Sequence, residues 1–249
     1  EDDSAVPFGD VVALMLAQLQ RKNIKFRRAA AVSLAILLTA FPECCVYEMV
    51  APSLITLVGL AGPPGDSRGD GKEDPIMQAR AVSCIAAAWP HLPPSQSSAS
   101  NREAVVQIQR THAESLTCAL SGAIQRKVWS VRVPILNALA AVVGRSYARP
   151  AGGIMEDVGG SKVASVVTGA LLANVVRAVE VGAEDVKYSQ VRAAANAVVV
   201  AMTSRKELRL ALTPHKEGLM AIARSGAGDP EPKVAVEGSK AAQILAWWP

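Results

Sequence analysis

A short pattern that returns five times constrains this chain more than anything else in it. An apolar residue sits beside an arginine, and a run of small residues at helical spacing follows. The copies are Lys25-Phe-Arg-Arg-Ala-Ala-Ala-Val-Ser-Leu34, Gln78-Ala-Arg-Ala-Val-Ser-Cys-Ile85, Ser130-Val-Arg-Val-Pro-Ile-Leu-Asn-Ala-Leu139 and Gln190-Val-Arg-Ala-Ala-Ala-Asn-Ala-Val-Val199. The fifth, Lys233-Val-Ala-Val-Glu-Gly-Ser-Lys-Ala-Ala242, keeps the pattern with Ala235 at the arginine place. With Arg28, Arg80, Arg132, Arg192 and Ala235 equivalent, the steps are 52, 52, 60 and 43 residues; Arg27 would align as well as Arg28. A period of this length belongs to a supersecondary unit that cannot cover its own apolar faces and must stack on copies of itself.

Each copy predicts the second helix of a pair. The apolar stripe of the first is Phe26, Ala30, Leu34, Leu37 and Phe41; that of the fourth is Val191, Ala195, Val198 and Met202. First helices are expected near 8–20, 45–60, 103–124, 162–181 and 205–224. Ser100-x-x-Glu103 and Ser204-x-x-Glu207 read as capping boxes, and Thr213-Pro214 as an N-cap with proline at the first helical position. Pro52 and Pro214 should split or kink their helices, and Pro42, Pro90 and Gly144 should close second helices. Half of the residues are apolar but only 4% aromatic, and Ala, Val and Leu dominate, which favours close helix contact over a sheet. The expected fold is all-α: one solenoid of about five antiparallel pairs, near 8–42, 43–90, 100–145, 161–203 and 204–248. It reads as a C-terminal fragment of a longer chain. In Val11-Val-Ala-Leu-Met-Leu-Ala-Gln-Leu19 apolar residues point almost all round the helix, so an uncovered apolar face is expected at this end.

The remaining features argue against chemistry. No phosphate-binding GxxxxGK[ST], nucleophile-elbow GxSxG or zinc-binding HExxH string occurs. Gly152-Gly153 and Gly159-Gly160 follow no predicted strand, and His112 with Glu114 lacks a supported nucleophile. Cys44, Cys45, Cys84 and Cys118 form no CxxC pair, and only His91, His112 and His215 could supplement them as metal ligands, so small buried thiols are expected instead. No cofactor, metal or small-molecule substrate is expected, and no catalytic residue. The apolar runs 29–41 and 163–176 are too short or too interrupted to span a bilayer, which leaves no transmembrane segment. Net charge is +4, from 26 basic and 22 acidic residues, too mild and too scattered among connections for a nucleic-acid surface. Arg68-Gly-Asp70 is read as a loop tripeptide.

Helix pairs with Val-Arg-x-x-Ala near the start of the second helix resemble the HEAT-repeat family over almost the whole chain. Several strings narrow the resemblance: Ile24-Lys-Phe, Ala31-Val-Ser-Leu-Ala-Ile-Leu, Ala88-Trp-Pro90, Val128-Trp-Ser-Val131 and Lys187-Tyr-Ser-Gln-Val-Arg192. In that order they are similar to the C-terminal end of the large HEAT-repeat adaptors of the 26S proteasome. The resemblance implies a non-catalytic scaffold that tethers proteasome core and regulatory particles, resident in cytoplasm and nucleus. It also implies an aspartate in the turn within a pair that meets the helix arginine: Asp74 for Arg80 and Asp185 for Arg192, with none before Arg28 or Arg132. Rival readings are a nuclear transport receptor fragment and a nucleic-acid-binding helical repeat. The turns within pairs should lie along one edge of the array. Arg21, Lys22 and Lys25 occupy one such turn and Arg126 and Lys127 another, so these five are the expected partner-binding residues, with Asp66, Asp70, Glu73 and Asp74 striping the edge between them.

Overall fold

In the computed structural model the described residues are 7–42, 46–60, 74–91, 99–148 and 165–248. They form helices only: α1 (Phe8–Leu19), α2 (Ile24–Ala40), α3 (Tyr47–Val58), α4 (Pro75–Ala88), α5 (Ala99–Ile124), α6 (Trp129–Arg145), α7 (Gly169–Ala183), α8 (Ser189–Thr203), the short α9 (Arg209–Leu212) between two 3₁₀ turns, α10 (Lys216–Ala227) and α11 (Pro232–Ala246). Cys44 and Cys45, the glycine pairs near 152 and 159, and Asp66, Arg68, Asp70 and Glu73 lie outside the described residues.

The helices pair as α1/α2, α3/α4, α5/α6, α7/α8 and α10/α11, and the second helices stack in one continuous row from α2 through α4, α6 and α8 to α11. The chain is an α-solenoid. Burial follows from that row, because a second helix in its middle touches its own partner and both neighbours. On α6, Val131, Ile135, Leu136, Ala138, Leu139, Val142 and Val143 are all buried, leaving no apolar side chain of that stripe to water. Small residues let the row close up. A Cβ added to Gly182 would stand 3.0 Å from Leu136 Cδ1 and 3.1 Å from Ala195 Cβ.

Local chemistry sets the helix ends. Asn23, Asp74 and Thr168 accept from backbone N–H groups of Lys25, Met77 and Leu171. Gly59 stops α3 in the left-handed conformation, φ 71°, with Leu60 N–H donating to the Ile55 carbonyl at 3.0 Å. The ends of second helices are tied across junctions by cations near their free carbonyls: Arg145 donates to Ala86 O at 2.7 Å, and Arg205 to Ser146 O at 2.7 Å and to Val143 O. Trp89, fully buried, donates to Ser146 Oγ at 3.2 Å.

Several expectations are corrected. The α2 stripe is Ala30, Ala31, Leu34 and Leu38; Phe26 is 65% exposed, and Phe41 stays half in water while its ring meets that of Phe8 at 5.3 Å. α5 already begins at Ala99, so Ser100 falls in its first turn instead of preceding it. Ser204 ends α8, and Glu207 pairs with Arg205 instead of capping. The split expected at Pro214 is present, since α9 ends at Leu212 and α10 starts at Lys216, but Thr213 bonds back to Arg209 O instead of capping. Pro52 does not split α3, and α6 closes at Arg145, one residue past the expected Gly144.

Candidate functional site

The turns within pairs lie along one edge of the row, and the same clamp recurs there. Asp229 receives both arms of Arg192, Nε at 2.7 Å and Nη2 at 3.1 Å. Asp185 accepts from Arg132 Nη1 at 2.9 Å, and Asp74 pairs with Arg28 Nη2 at 3.1 Å. In each case the carboxylate belongs to the pair after that of its arginine. The expected arrangement, Asp74 with Arg80 and Asp185 with Arg192, is therefore shifted by one pair. Arg192 keeps a link within its own pair through the Asp185 carbonyl, at 2.8 Å.

Each of these aspartates also organises the turn before its own helix. Asp185 Oδ1 accepts from the N–H groups of Lys187 and Tyr188, Asp229 Oδ1 from that of Glu231, and Asp74 Oδ1 from that of Met77. The Arg192 fork, with the Glu231 amide, holds the Asp229 carboxyl below its ordinary value, and Asp229 in turn raises Arg192. Burial alone would raise Asp74, but the Met77 amide and Arg28 hold it low.

Arg21, Lys22, Lys25 and Arg126 are exposed on this edge, in the first and third turns. Lys127 is not: it is 8% exposed, and its carbonyl is held by Arg132 Nε at 2.8 Å. The structure thus brings four of the five expected residues to the surface of one edge, in two separate turns.

The edge also carries apolar surface that sequence reasoning missed. Trp129 and Tyr188, from adjacent pairs, stack with centroids 5.1 Å apart and planes at 22°. Lys187 Nζ lies 5.3 Å from the Tyr188 ring centroid. Val128 is half exposed and Val186 is 95% exposed. An open depression of about 450 Å³ beside them is bounded by Gln125, Arg132, Glu184 and Tyr188. The signal was available, since an aromatic precedes the arginine by three residues in one pair and four in the next. Among the described residues no group of three metal-capable side chains gathers. No described helix is long and apolar enough to cross a membrane. Burial pushes the Cys84 thiol up to about 12, so it is a packing group whose Sγ donates to Ala31 O at 3.1 Å.

No protein-family model matches the chain, and no curated protein matches it in sequence. Among solved structures, an engineered protein is similar at 14% identity and a TM-score of 0.42, covering 94% of this chain and 98% of that one. A designed armadillo repeat protein is similar at 15% identity and a TM-score of 0.40, over 94% and 99% of the two chains. Another, in complex with the peptide (KR)4, is similar at 13% identity and a TM-score of 0.40, over 94% and 99%.

Proposed function

We propose that this chain is a non-catalytic protein-binding scaffold that docks its partner along the turn edge. One observation carries the reading. The edge is braced by Arg–Asp clamps between pairs, yet it holds exposed cations (Arg21, Lys22, Lys25, Arg126) and exposed apolar groups (Val128, Val186) in its turns. A rigid row that shows both kinds of group suits a partner surface with acidic rims and apolar centres, the charges mainly speeding encounter and fixing register. The finer reading, association with the proteasome in cytoplasm and nucleus, rests on the sequence strings that resemble the HEAT-repeat adaptors.

Capture of purified 26S proteasome by the immobilised chain tests both levels. Arg126→Glu, and separately Arg21→Glu with Lys22→Glu, should weaken capture and flatten its salt dependence while leaving the helical circular-dichroism signal intact. Capture unaffected by both reversals removes the edge as docking surface. No capture, alongside binding of a transport GTPase or of nucleic acid, would replace the proteasome reading with one of its rivals.

A further inference from the structure

The polar ties between neighbouring pairs are unevenly shared. At the turn edge three of the four junctions carry an Arg–Asp clamp: Arg28 with Asp74, Arg132 with Asp185 and Arg192 with Asp229. The junction between the second and third pairs carries none among the described residues. The arginine of its first side, Arg80, donates from Nη1 back to Arg28 O at 2.6 Å, inside the first junction. The aspartate place on its other side is held by Gln125. Backbone register fixes that place, since Arg132 donates to the Gln125 carbonyl as Arg192 does to the Asp185 carbonyl, in each case seven residues back.

The first helices repeat the contrast. α1 touches α3, and α5 packs along α7, where Ser121 Oγ donates to Asn174 O at 2.7 Å. Between α3 and α5 the bridge is His112, with Nε2 3.4 Å from Glu48 Oε1 and its ring 5.4 Å from that of Tyr47. Tyr47 and Glu48 open α3, so this bridge stands at the end away from the turn edge. Other polar ties of the junction gather at that same end. Arg145 donates to Ala86 O at 2.7 Å, Trp89 Nε1 to Ser146 Oγ at 3.2 Å, and Gln109 Nε2 to Pro90 O at 2.9 Å. Towards the turn edge, α4 and α6 are held by apolar packing, which is non-directional.

We propose that this junction is a pivot, about which pairs one and two rock as a block against pairs three to five, opening and closing at the turn edge. A guanidinium–carboxylate clamp fixes direction as well as distance, so motion concentrates where the clamp is missing and the ties lie at the opposite end. The exposed cations of the first turn (Arg21, Lys22, Lys25) and of the third (Arg126) fall on opposite sides of the pivot. Rocking therefore changes their spacing, which, on the reading of the turn edge as docking surface, adjusts the edge to its partner.

The test uses the whole chain with Cys44→Ser and Cys45→Ser, and nitroxide labels read by double electron–electron resonance. One label sits on the exposed Cys118 of α5, while Cys84 is buried and stays unlabelled. The second sits on α3 through Thr56→Cys, or on α7 through Glu180→Cys, both exposed positions. The distance distribution across the pivot, 118 to 56, should be about twice as broad as that from 118 to 180. Gln125→Asp supplies the missing carboxylate and should narrow the first distribution. Asp185→Asn removes a clamp and should broaden the second. Equal widths in the chain without these two substitutions overturn the pivot. A width left unchanged by either substitution overturns the role given to the clamps. The readings are made without a partner, so their failure leaves the docking proposal to its own test.

Discussion

Gly238 offers a prediction whose sign, as well as size, comes from the geometry. It lies in the middle of α11, where glycine instead of alanine ordinarily costs about 0.5–1 kcal/mol of helix stability. On propensity alone, Gly238→Ala should therefore stabilise the chain. The neighbouring helix says otherwise. A Cβ at 238 would stand 2.3 Å from Ala227 N, 2.4 Å from Gly226 C and 2.8 Å from Gly226 Cα. These are backbone atoms at the end of α10, so no rotamer change relieves the overlap; α10 and α11 must part. Gly226 is itself pinned, since a Cβ there would lie 2.6 Å from Asn196 Oδ1 of α8. Overpacking of this kind typically costs about 1–3 kcal/mol, and the rigid neighbour puts this site at the upper end. With the propensity gain subtracted, the expected net loss is about 2 kcal/mol. Gly122 supplies the control: it is helical, exposed, and has nothing within 4 Å of an added Cβ. Gly122→Ala should gain about 0.5–1 kcal/mol. Urea titrations of the two variants should thus move in opposite directions. If Gly238→Ala is as stable as the wild type or more so, the close crossing of α10 and α11 is wrong.

Leu139, fully buried on α6, should lose about 2–5 kcal/mol on replacement by alanine; less than half of the lower bound in a denaturant titration would mean its face meets water. Asp229 has its carboxyl held low, so its stabilisation is complete above the unfolded carboxylate value of about 4 and is lost as pH falls through the depressed folded value. Asp229→Asn should cost about 2 kcal/mol near neutrality and leave a shallower decline in stability across that acid window, measured by thermal melts. At the N-terminal end Leu14, Phe26 and Ile36 are each more than 60% exposed, so self-association is expected in sedimentation, and Ile36→Lys with Leu14→Glu should reduce it; an unchanged profile would show that this face is not sticky.

The repeat was legible because its signal is local: each arginine lies a fixed distance into a helix whose small residues are contiguous in sequence. What escaped depended on distances across the stack. Asp74 lies six residues from Arg80, and sequence spacing paired those two, but stacking brings it to Arg28 instead. The stripe of α2 was misjudged by about one residue because Phe26 and Phe41, the bulkiest side chains, were assumed to point inward; the face that is buried runs through Ala30, Ala31, Leu34 and Leu38. Lys127 looked like surface because its turn is polar, yet it sits inside the turn that Arg132 closes. The passage from 205 to 215 was expected to be helical up to a split at Pro214, whereas Arg205 anchors to the end of α6 and the chain from Lys206 to His215 forms only short turns.

The aspartates at the turns also shape how a disturbance travels. Each one ties the turn before its own helix and holds the arginine of the preceding pair, so the two events cannot be separated. When one pair frays, the next loses a grip, and when the neighbour leaves, the helix start loses the charge that balances its aspartate. In a one-dimensional array this raises the cost of any boundary between an ordered and a disordered unit. A single loss is therefore felt on both sides. Asp185→Ala should speed amide exchange at the start of α8 and also in the turn before α6, where Arg132 would lose its partner although no residue of that pair had changed.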